Sequence, residues 1–345
     1  MIGDSQATSH PPGPPGDNLS AQLTIVTVGL EKHYDYIRRQ LALIDALNPG
    51  AQCRFLIVDN APRTGAHITL DDPRCTVLPG VDAAPLPERG RGSYHHAAAL
   101  SLALPLVATR YLLVIDPDLF VVRPHWIADC IRHMQERKLS IFGVPWHTRW
   151  VRKWRDFPCV HFMLIDLHKA PLEQIDFTPA LVEDLEADAR PRSLWLKAHI
   201  PHLHSRMLIG SRRDTGWKLR KRFGRGHRIE LTLPVVDFDK ELPKPPHLLT
   251  PEGRRLEHRL PRRWSYLPRP DQYVAAQDAP GFGAEPFRRL GPEMFVWRGA
   301  PFCFHLRRNA RDRIWGLTDQ AAERDDLDLL LNEISKGQPW TDWSL

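Results

Sequence analysis

The sequence predicts an α/β protein with a mostly parallel central sheet and helices on both of its faces. Apolar runs of strand length alternate with segments of helical spacing through the first 150 residues. The strand runs are almost continuously apolar, which is typical of parallel strands buried on both faces. The chain has 345 residues, of which 42% are hydrophobic and 26% are charged, so it can bury a sizeable core. This composition excludes a disordered or fibrous protein.

The alternation begins at Leu23. The first three apolar runs read LTIVTVGL, CRFLIVDN and TVLPG, and each predicts a strand. Residues 33–47 and the segment SYHHAAALSLAL predict the helices that separate them. The run YLLVIDPDLFVV is the most apolar strand region of the chain. A helix from about Trp126 to Arg137 and a strand SIFGVPW complete this part of the molecule.

The character of the chain changes after residue 150, where Pro and Arg become frequent and the apolar segments are irregularly spaced. The run FPCVHFMLIDL still predicts a strand, and residues 319–336 predict an amphipathic helix with an acidic outer face. We therefore divide the chain into four parts. Residues 1–20 form a disordered Pro/Gly-rich tail, and residues 21–150 form an α/β half. Residues 151–318 form a less regular half, and residues 319–345 form an acidic amphipathic helix followed by a tail.

Three features predict where the protein works. The longest uncharged apolar run is interrupted by Ser101 and Pro105 and is shorter than the roughly 20 residues of a membrane span. The first residues lack the charged start and apolar core of a signal peptide. The five cysteines form no CxxC pair, which indicates reduced thiols rather than a disulfide or zinc framework. We expect a cytoplasmic protein, with peripheral contact at the inner membrane face as a further option.

Two carboxylates stand at the end of the most apolar strand, in Asp116-Pro117-Asp118. An unpaired ionised carboxylate is costly to bury, so a compensating group is needed there. Ligands bind at the carboxyl ends of parallel strands, and paired carboxylate oxygens suit Mg²⁺ or Mn²⁺ shared with substrate phosphates. The alternative is an ordinary turn with two solvated aspartates.

From Leu23 to about Leu233 the chain resembles the A-type-fold glycosyltransferases, in particular the inverting family 2 enzymes. The resemblance implies that Asp116 and Asp118 hold a Mn²⁺ or Mg²⁺ ion on the diphosphate of the donor. It also implies that the first half binds the nucleotide sugar, and the matching positions there are Thr27, Gly29, Asp59 and His95. Asp59 followed by Asn is equally typical of a turn, and His95 equally of a surface histidine.

The same resemblance implies a catalytic base and a late histidine. Asp214, in the run RDTGWKLR, matches the carboxylate of the base, although Arg213 replaces the usual glutamate before it. A helix cap is the alternative for Asp214, and the pair Glu183-Asp184 is a second candidate for the base. His305, in PFCFHLR, matches the histidine that joins the metal or diphosphate, with a core histidine as its alternative.

Two further patterns concern partners. Between Ser205 and Arg228 there are nine Lys and Arg residues against one acidic residue, Asp214. This segment suits a nucleotide diphosphate, an anionic acceptor or an anionic membrane, and no motif for nucleic acid accompanies it. A solvated basic helix is the alternative.

Trp146, Trp150 and Trp154 recur at every fourth position. If this stretch is helical, the three indoles lie on one stripe of the helix. Such a stripe suits a membrane interface or stacking on sugar rings, and packing in the core is the alternative.

These observations predict a metal-dependent glycosyltransferase, inverting in mechanism if Asp214 is the base, with a retaining mechanism as the alternative because both classes share the D-x-D motif. Its donor would be a UDP-, GDP- or dTDP-linked sugar, and its acceptor a glycan or a lipid-linked hydroxyl. Two alternatives remain. One is a sugar nucleotidyltransferase, whose Gly-rich phosphate loop is not matched by the single glycine of TVGLEKHYDY. The other is a non-catalytic member of the fold that binds anionic membranes or polyanions.

Overall fold

The structure is a computed structural model. It describes residues 19–62, 64–86, 91–148, 153–180, 214–236, 270–279, 290–306 and 320–336. Residues 1–18 of the predicted tail and the pair Glu183-Asp184 lie outside the described residues.

The larger of two sheets has seven strands in the order β3-β2-β1-β4-β7-β6-β8. Its strands are β1 Leu23–Gly29, β2 Arg54–Asp59, β3 Cys75–Pro79, β4 Tyr111–Ile115, β6 Ile141–Gly143, β7 Phe162–Asp166 and β8 Ile229–Leu231. All neighbouring pairs are parallel except the two that involve β7, which runs antiparallel to β4 and to β6. The predicted α/β class with a mostly parallel sheet is confirmed.

A second sheet of five strands has the order β10-β9-β11-β12-β5. Its strands are β5 Leu119–Val121, β9 Leu233–Val236, β10 Val274–Ala275, β11 Glu293–Trp297 and β12 Ala300–His305. The apolar run YLLVIDPDLFVV therefore contributes to both sheets, because β4 belongs to the first and β5 to the second. The two carboxylates lie in the connection between them.

Five α-helices occur in the described residues: α1 Tyr34–Leu47, α2 Arg91–Ala103, α3 Trp126–Glu136, α4 Trp217–Phe223 and α5 Gln320–Ser335. The helix predicted near the C-terminus is confirmed as α5. Leu327, Leu330 and Ile334 are buried on its inner face, and the helix packs against α1. Among the described helices, none has the length and apolarity needed to cross a bilayer.

The tryptophan stripe is not helical where the structure describes it. Residues 144–148 and 153–154 follow β6 as irregular chain, and Trp150 lies outside the described residues. Trp146 and Trp154 are buried and pack edge to face, with ring centroids 6.0 Å apart. The core alternative is therefore correct for these two residues, because the chain folds their indoles inward.

Candidate functional site

The turn that joins the two sheets carries the site. The Asp116 backbone N–H donates to the His161 carbonyl oxygen at 3.0 Å, and the Leu119 N–H donates to the Asp116 carbonyl at 3.1 Å. The side chain of Gln40, on α1, contacts the turn, and its Nε2 donates hydrogen bonds to the carbonyl oxygens of Asp116 at 3.0 Å and Leu119 at 2.5 Å. The turn is thus held by both sheets and by α1, so its carboxylates stand on a rigid support.

Histidines surround the two carboxylates. His305 Nε2 lies 3.2 Å from Asp118 Oδ1, and His161 Nε2 lies 3.6 Å from Asp116 Oδ2. The rings of His161 and His305 stack with centroids 4.0 Å apart and planes 25° apart. His96 of α2 approaches from the other side, with its Nε2 3.8 Å from Asp116 Oδ1. The arrangement concentrates carboxylate oxygens and imidazole nitrogens at one point.

This group of side chains has the donor set of a divalent metal site. Asp116, His161 and His305 each offer one ligand atom, and these atoms lie within 4.8 Å of one another. His161 is 5% exposed, and its Nδ1 has no hydrogen-bond partner among the described residues. Buried polar atoms are normally hydrogen-bonded. Carboxylate oxygens and imidazole nitrogens are common ligands of divalent transition metals, so these residues fit such a cation.

The electrostatics of the site support the same conclusion. Burial raises the pKa of Asp116 to about 8, and the neighbouring charge of Asp118 adds to this increase. Burial alone would raise the pKa of Asp118 too, but the charge and hydrogen bond of His305 outweigh it and lower that pKa. Without a cation, the two carboxylates are poorly able to carry negative charge together.

The two stacked histidines differ in charge. Burial lowers the pKa of His161 well below its usual range, and the nearby His305 lowers it further. Burial opposes protonation of His305 as well, but Asp118 and Glu293 outweigh it and hold the pKa of His305 well above its usual range. His161 is therefore neutral at pH 7 and keeps a nitrogen lone pair.

Glu293 lies behind His305, and sequence reasoning missed it. Its side chain is 0% exposed, and its Oε2 lies 3.0 Å from His305 Nδ1. The two residues are directly opposite in the antiparallel pair of β11 and β12. Burial would raise the pKa of Glu293, but the hydrogen bond from His305 and nearby histidines lower it to about 2. A glutamate within the apolar strand EMFVW was the available signal, as was His161 within FPCVHFMLIDL.

The site opens into a cleft of about 310 Å³. Of the residues predicted from the sequence, Gly29, His95, Asp116, Asp118 and His305 line it. A side chain at Gly29 would place its Cβ 2.7 Å from Ile37 Cδ1, so the end of the Ile37 side chain would have to move to accommodate it. His95 also donates a hydrogen bond from its Nε2 to the Val81 carbonyl oxygen at 2.8 Å. Further residues, including His33, Asn60, His96 and His161, complete the lining.

Thr27 and Asp59 are not among the residues that line the cleft in the described chain. Thr27 is buried within β1. Asp59 is 3% exposed, and its Oδ1 accepts hydrogen bonds from Tyr34 Oη at 2.6 Å and the Ala61 N–H at 3.0 Å. Its Oδ2 meets His67 Nδ1 at 3.0 Å and the Ile68 N–H at 3.1 Å. The carboxylate of Asp59 is therefore used within the protein to hold the loop after β2.

Asp214 does not cap a helix, because Gly216, with φ of 87°, is the residue that precedes α4. The Asp214 carboxylate instead pairs with Lys153, and its Oδ2 has no hydrogen-bond partner in the described chain. Asp214 is 8% exposed, and this burial raises its pKa although Lys153 acts in the opposite direction. Trp146 stands between this pair and the metal-binding group, 4.4 Å from Lys153 Nζ and 4.6 Å from the His161 ring.

The basic segment is described only from Asp214 onward. Arg220 of α4 pairs with Asp156 at 2.7 Å, and Lys218 lies 3.5 Å from Asp176. Lys221 and Arg225 are exposed. The described part of the segment is thus a basic surface that is partly neutralised by neighbouring aspartates.

No protein-family model matches the chain, and no curated protein matches it. Among solved structures it is similar to a mannosyltransferase from Pyrobaculum calidifontis in complex with GDP-mannose and Mn²⁺. That match has 14% identity and a TM-score of 0.31, and it covers 45% of this chain and 47% of the other. It is also similar to TarS 1–349 from S. aureus in complex with UDP-GlcNAc, at 10% identity and a TM-score of 0.31, covering 48% of this chain and 51% of that TarS chain.

An active-site mutant of LgtC is a third similar structure, at 13% identity and a TM-score of 0.35, covering 60% of this chain and 72% of LgtC. The chain spans about half the length of the mannosyltransferase and of TarS 1–349. All three TM-scores lie below 0.5, so the function proposed below rests on the residues of this chain.

Proposed function

We propose that this protein is a glycosyltransferase that moves a sugar from a nucleotide-sugar donor to a hydroxyl acceptor with the help of a divalent metal. One observation carries the proposal. Asp116 and Asp118, at the carboxyl end of β4, face a cleft together with His161 and His305. Carboxylates at this edge of an α/β sheet are suited to a metal-bound diphosphate.

In this proposal, Asp116, Asp118 and His305 hold the metal and orient the donor diphosphate. A bound Mn²⁺ or Mg²⁺ supplies positive charge that stabilises the departing nucleoside diphosphate. Gln40 keeps the carboxylates in place through its two bonds to the turn. Gly29 at the end of β1 and His95 of α2 line the same cleft.

We assign Asp214 as the base that takes a proton from the acceptor hydroxyl, which makes the reaction inverting. Burial raises the pKa of Asp214 above the usual value of an aspartate, which makes its carboxylate a stronger proton acceptor. The second oxygen of Asp214 is buried and has no hydrogen-bond partner among the described residues. Lys153 keeps the carboxylate charged before transfer. General-base catalysis of this kind contributes roughly 10²–10⁴-fold in rate.

The proposed donors are UDP-, GDP- and dTDP-linked sugars, and the proposed acceptor is a glycan or a lipid-linked hydroxyl. Exposed Lys221 and Arg225 extend the proposal to an anionic acceptor or an anionic membrane surface at the basic segment. Flotation with anionic and neutral vesicles tests the membrane contact. Equal recovery with both kinds of vesicle would exclude it.

Calorimetric titration with UDP, GDP and dTDP, each with and without Mn²⁺, tests the donor site. We expect one nucleotide to bind, and to bind at least about tenfold more weakly without the metal or after Asp118→Ala. Asp156→Asn is the matched control, because Asp156 is an exposed carboxylate. A donor screen by release of nucleoside diphosphate then identifies the sugar.

Asp214→Asn separates binding from catalysis. The variant should bind nucleotide and metal as the wild type does and lose roughly 10²–10⁴-fold in sugar transfer. Nucleotide binding that ignores the metal and survives Asp118→Ala would contradict the proposed function. Full transfer activity in Asp214→Asn would contradict the role of the base alone.

A further inference from the structure

We infer that His161 is itself a metal ligand, and that with His305 it gives this site two imidazole nitrogens and hence selectivity for Mn²⁺-type transition metals over Mg²⁺. We infer in addition that Glu293 is the residue that positions His305. The inference rests on the proposed function only in requiring that this site binds a divalent metal.

The contacts of His161 indicate a ligand rather than a structural core histidine. A buried histidine with a structural role is hydrogen-bonded through its ring nitrogens. The Nε2 of His161, which is the nitrogen on the side of the proposed ion, faces Asp116 Oδ2 at 3.6 Å, beyond hydrogen-bond distance, so no hydrogen bond to that carboxylate occupies it. Two ligands of one ion, each about 2.1 Å from it, lie up to about 4.2 Å apart. The separation of 3.6 Å is within that limit.

The position of the His161 ring is fixed before any metal arrives. Its backbone carbonyl accepts a hydrogen bond from the Asp116 N–H, so the two residues lie opposite each other where β4 and β7 meet. One face of the ring stacks on His305, and Trp146 contacts it edge to face at 4.6 Å. The ring cannot turn away without disrupting these contacts. A preorganised nitrogen donor beside Asp116 is therefore part of the site.

Glu293 fixes the second nitrogen donor. A carboxylate that accepts the N–H of one ring nitrogen of a histidine leaves the other nitrogen for the metal and fixes the ring orientation. Here Glu293 faces His305 Nδ1 at 3.0 Å, so His305 Nε2 is the nitrogen directed at Asp118 and the cleft. Glu293 is fully buried within β11, where an unpaired carboxylate would be strongly unfavourable. It acts through His305 and is a positioning residue.

The ligand chemistry then determines the metal. Mg²⁺ prefers oxygen ligands and retains its water, whereas imidazole binds the first-row transition-metal cations, of which Mn²⁺ binds most weakly. A site made from carboxylates alone would accept either ion. Two imidazoles beside the carboxylates shift the preference toward the transition metal, so the two ions left open by the sequence should bind with different affinity.

The test measures metal binding by the full-length chain without donor or acceptor. Electron paramagnetic resonance of free Mn²⁺ gives the Mn²⁺ affinity, and displacement by Mg²⁺ gives the Mg²⁺ affinity. The wild type should bind Mn²⁺ at least about tenfold more tightly than Mg²⁺. His161→Asn should lose about 10–100-fold in Mn²⁺ affinity and less than about threefold in Mg²⁺ affinity. The exposed residue His168 provides the matched control, and His168→Asn should change neither affinity.

Glu293→Gln should weaken Mn²⁺ binding by about 10–100-fold, because a neutral amide is a poorer acceptor for the His305 N–H. Pulsed electron paramagnetic resonance of Mn²⁺ on the wild-type protein provides a readout that needs no variant. Coupling to two histidine nitrogens is expected, and ¹⁵N-histidine labelling verifies their origin. This measurement decides the question if a variant fails to fold.

The outcomes separate this inference from the proposed function. Coupling to a single nitrogen, or His161→Asn with the Mn²⁺ affinity of the wild type, overturns the assignment of His161 while metal-dependent nucleotide binding stands. Glu293→Gln with unchanged Mn²⁺ affinity overturns the positioning role. A wild-type protein that binds neither ion overturns both this inference and the metal-dependent function.

Discussion

The backbone N–H of Asp116 donates a hydrogen bond to the carbonyl oxygen of His161 at 3.0 Å, while their side chains face each other at 3.6 Å. The two residues are 45 positions apart in a sequence in which nothing links them. The antiparallel pairing of β4 with β7, in which Ile115 is opposite Phe162, brings them together at the next position. The strand that interrupts the parallel order is therefore the one that completes the site.

Removing the carboxylate of Asp116 should stabilise the metal-free protein. The pKa of Asp116 is raised to about 8, so folding becomes less favourable as the pH rises from about 4 to about 8. Asp116→Asn does not titrate and should raise the free energy of unfolding at pH 8 by about 1–2 kcal/mol in the presence of a chelator. Urea denaturation measures this change.

Asp118→Asn is the comparison for that variant. In the wild type, His305 lowers the pKa of Asp118, so the charge of Asp118 stabilises the fold above about pH 4. We expect this variant to lose about 1–3 kcal/mol at pH 8, because a buried imidazole loses its partner. A similar loss in both variants would show that the repulsion between the carboxylates is not the dominant effect.

The buried ion pair at the opposite end of β7 should give a pH-dependent contribution to stability. Asp166 accepts from Arg110 Nε at 3.2 Å and Nη2 at 3.1 Å, and Lys169 lies 3.1 Å away. Burial would raise the pKa of Asp166, but these partners lower it. The stabilisation is thus present above about pH 4 and is lost as the pH falls through the lowered value.

Asp166→Asn should therefore cost about 2–4 kcal/mol at pH 7 in urea denaturation, with the difference from wild type shrinking below pH 4. Asp156→Asn, which breaks the exposed pair with Arg220, should cost less than about 1 kcal/mol. Equal costs at pH 7 and pH 3 would mean that the charge of Asp166 is not what matters.

Gln40 should matter for both the stability and the metal affinity of the site. Gln40→Met keeps the length of the side chain but removes the two bonds to the carbonyls of Asp116 and Leu119. The Asp116 carbonyl keeps its hydrogen bond from the Leu119 N–H, but the loss of the two bonds from Gln40 should cost about 1–3 kcal/mol of stability. Mn²⁺ affinity should fall as well, because the turn gains freedom. Chemical denaturation and direct Mn²⁺ titration check the two effects, and unchanged Mn²⁺ affinity would show that the sheets alone hold the turn.

Asp59 should behave as a structural residue. Asp59→Asn replaces one acceptor oxygen with a donor and so disrupts part of the network with Tyr34, His67 and the following loop. We expect a loss of about 1–3 kcal/mol in the free energy of unfolding. Nucleotide affinity, measured by calorimetry well below the melting temperature, should change less than about threefold. Intact stability with lost nucleotide binding would instead support the direct contact that the family resemblance implies.

Local patterns in the sequence were sufficient for the order of strands and helices through α3 and for the helix α5. Continuous apolar runs and helical spacing report on burial directly, because each element must present a face to the core. The acidic pair Asp116 and Asp118 was predictable for the same reason, since carboxylates at the end of an apolar strand need a compensating partner. His305 came from the family resemblance, and the structure places it beside Asp118.

Only the tertiary structure decided which other residues join that pair. His161 and Glu293 each sit in an apolar run whose sequence gives no indication of what lies opposite, and strand pairing alone sets their neighbours. The same holds for Asp59 and Asp214, whose hydrogen bonds and ion pair come from residues distant in the chain. Sequence patterns encode which side chains are buried, whereas long-range strand pairing determines which buried polar groups meet. The chemistry of this site depends on that pairing.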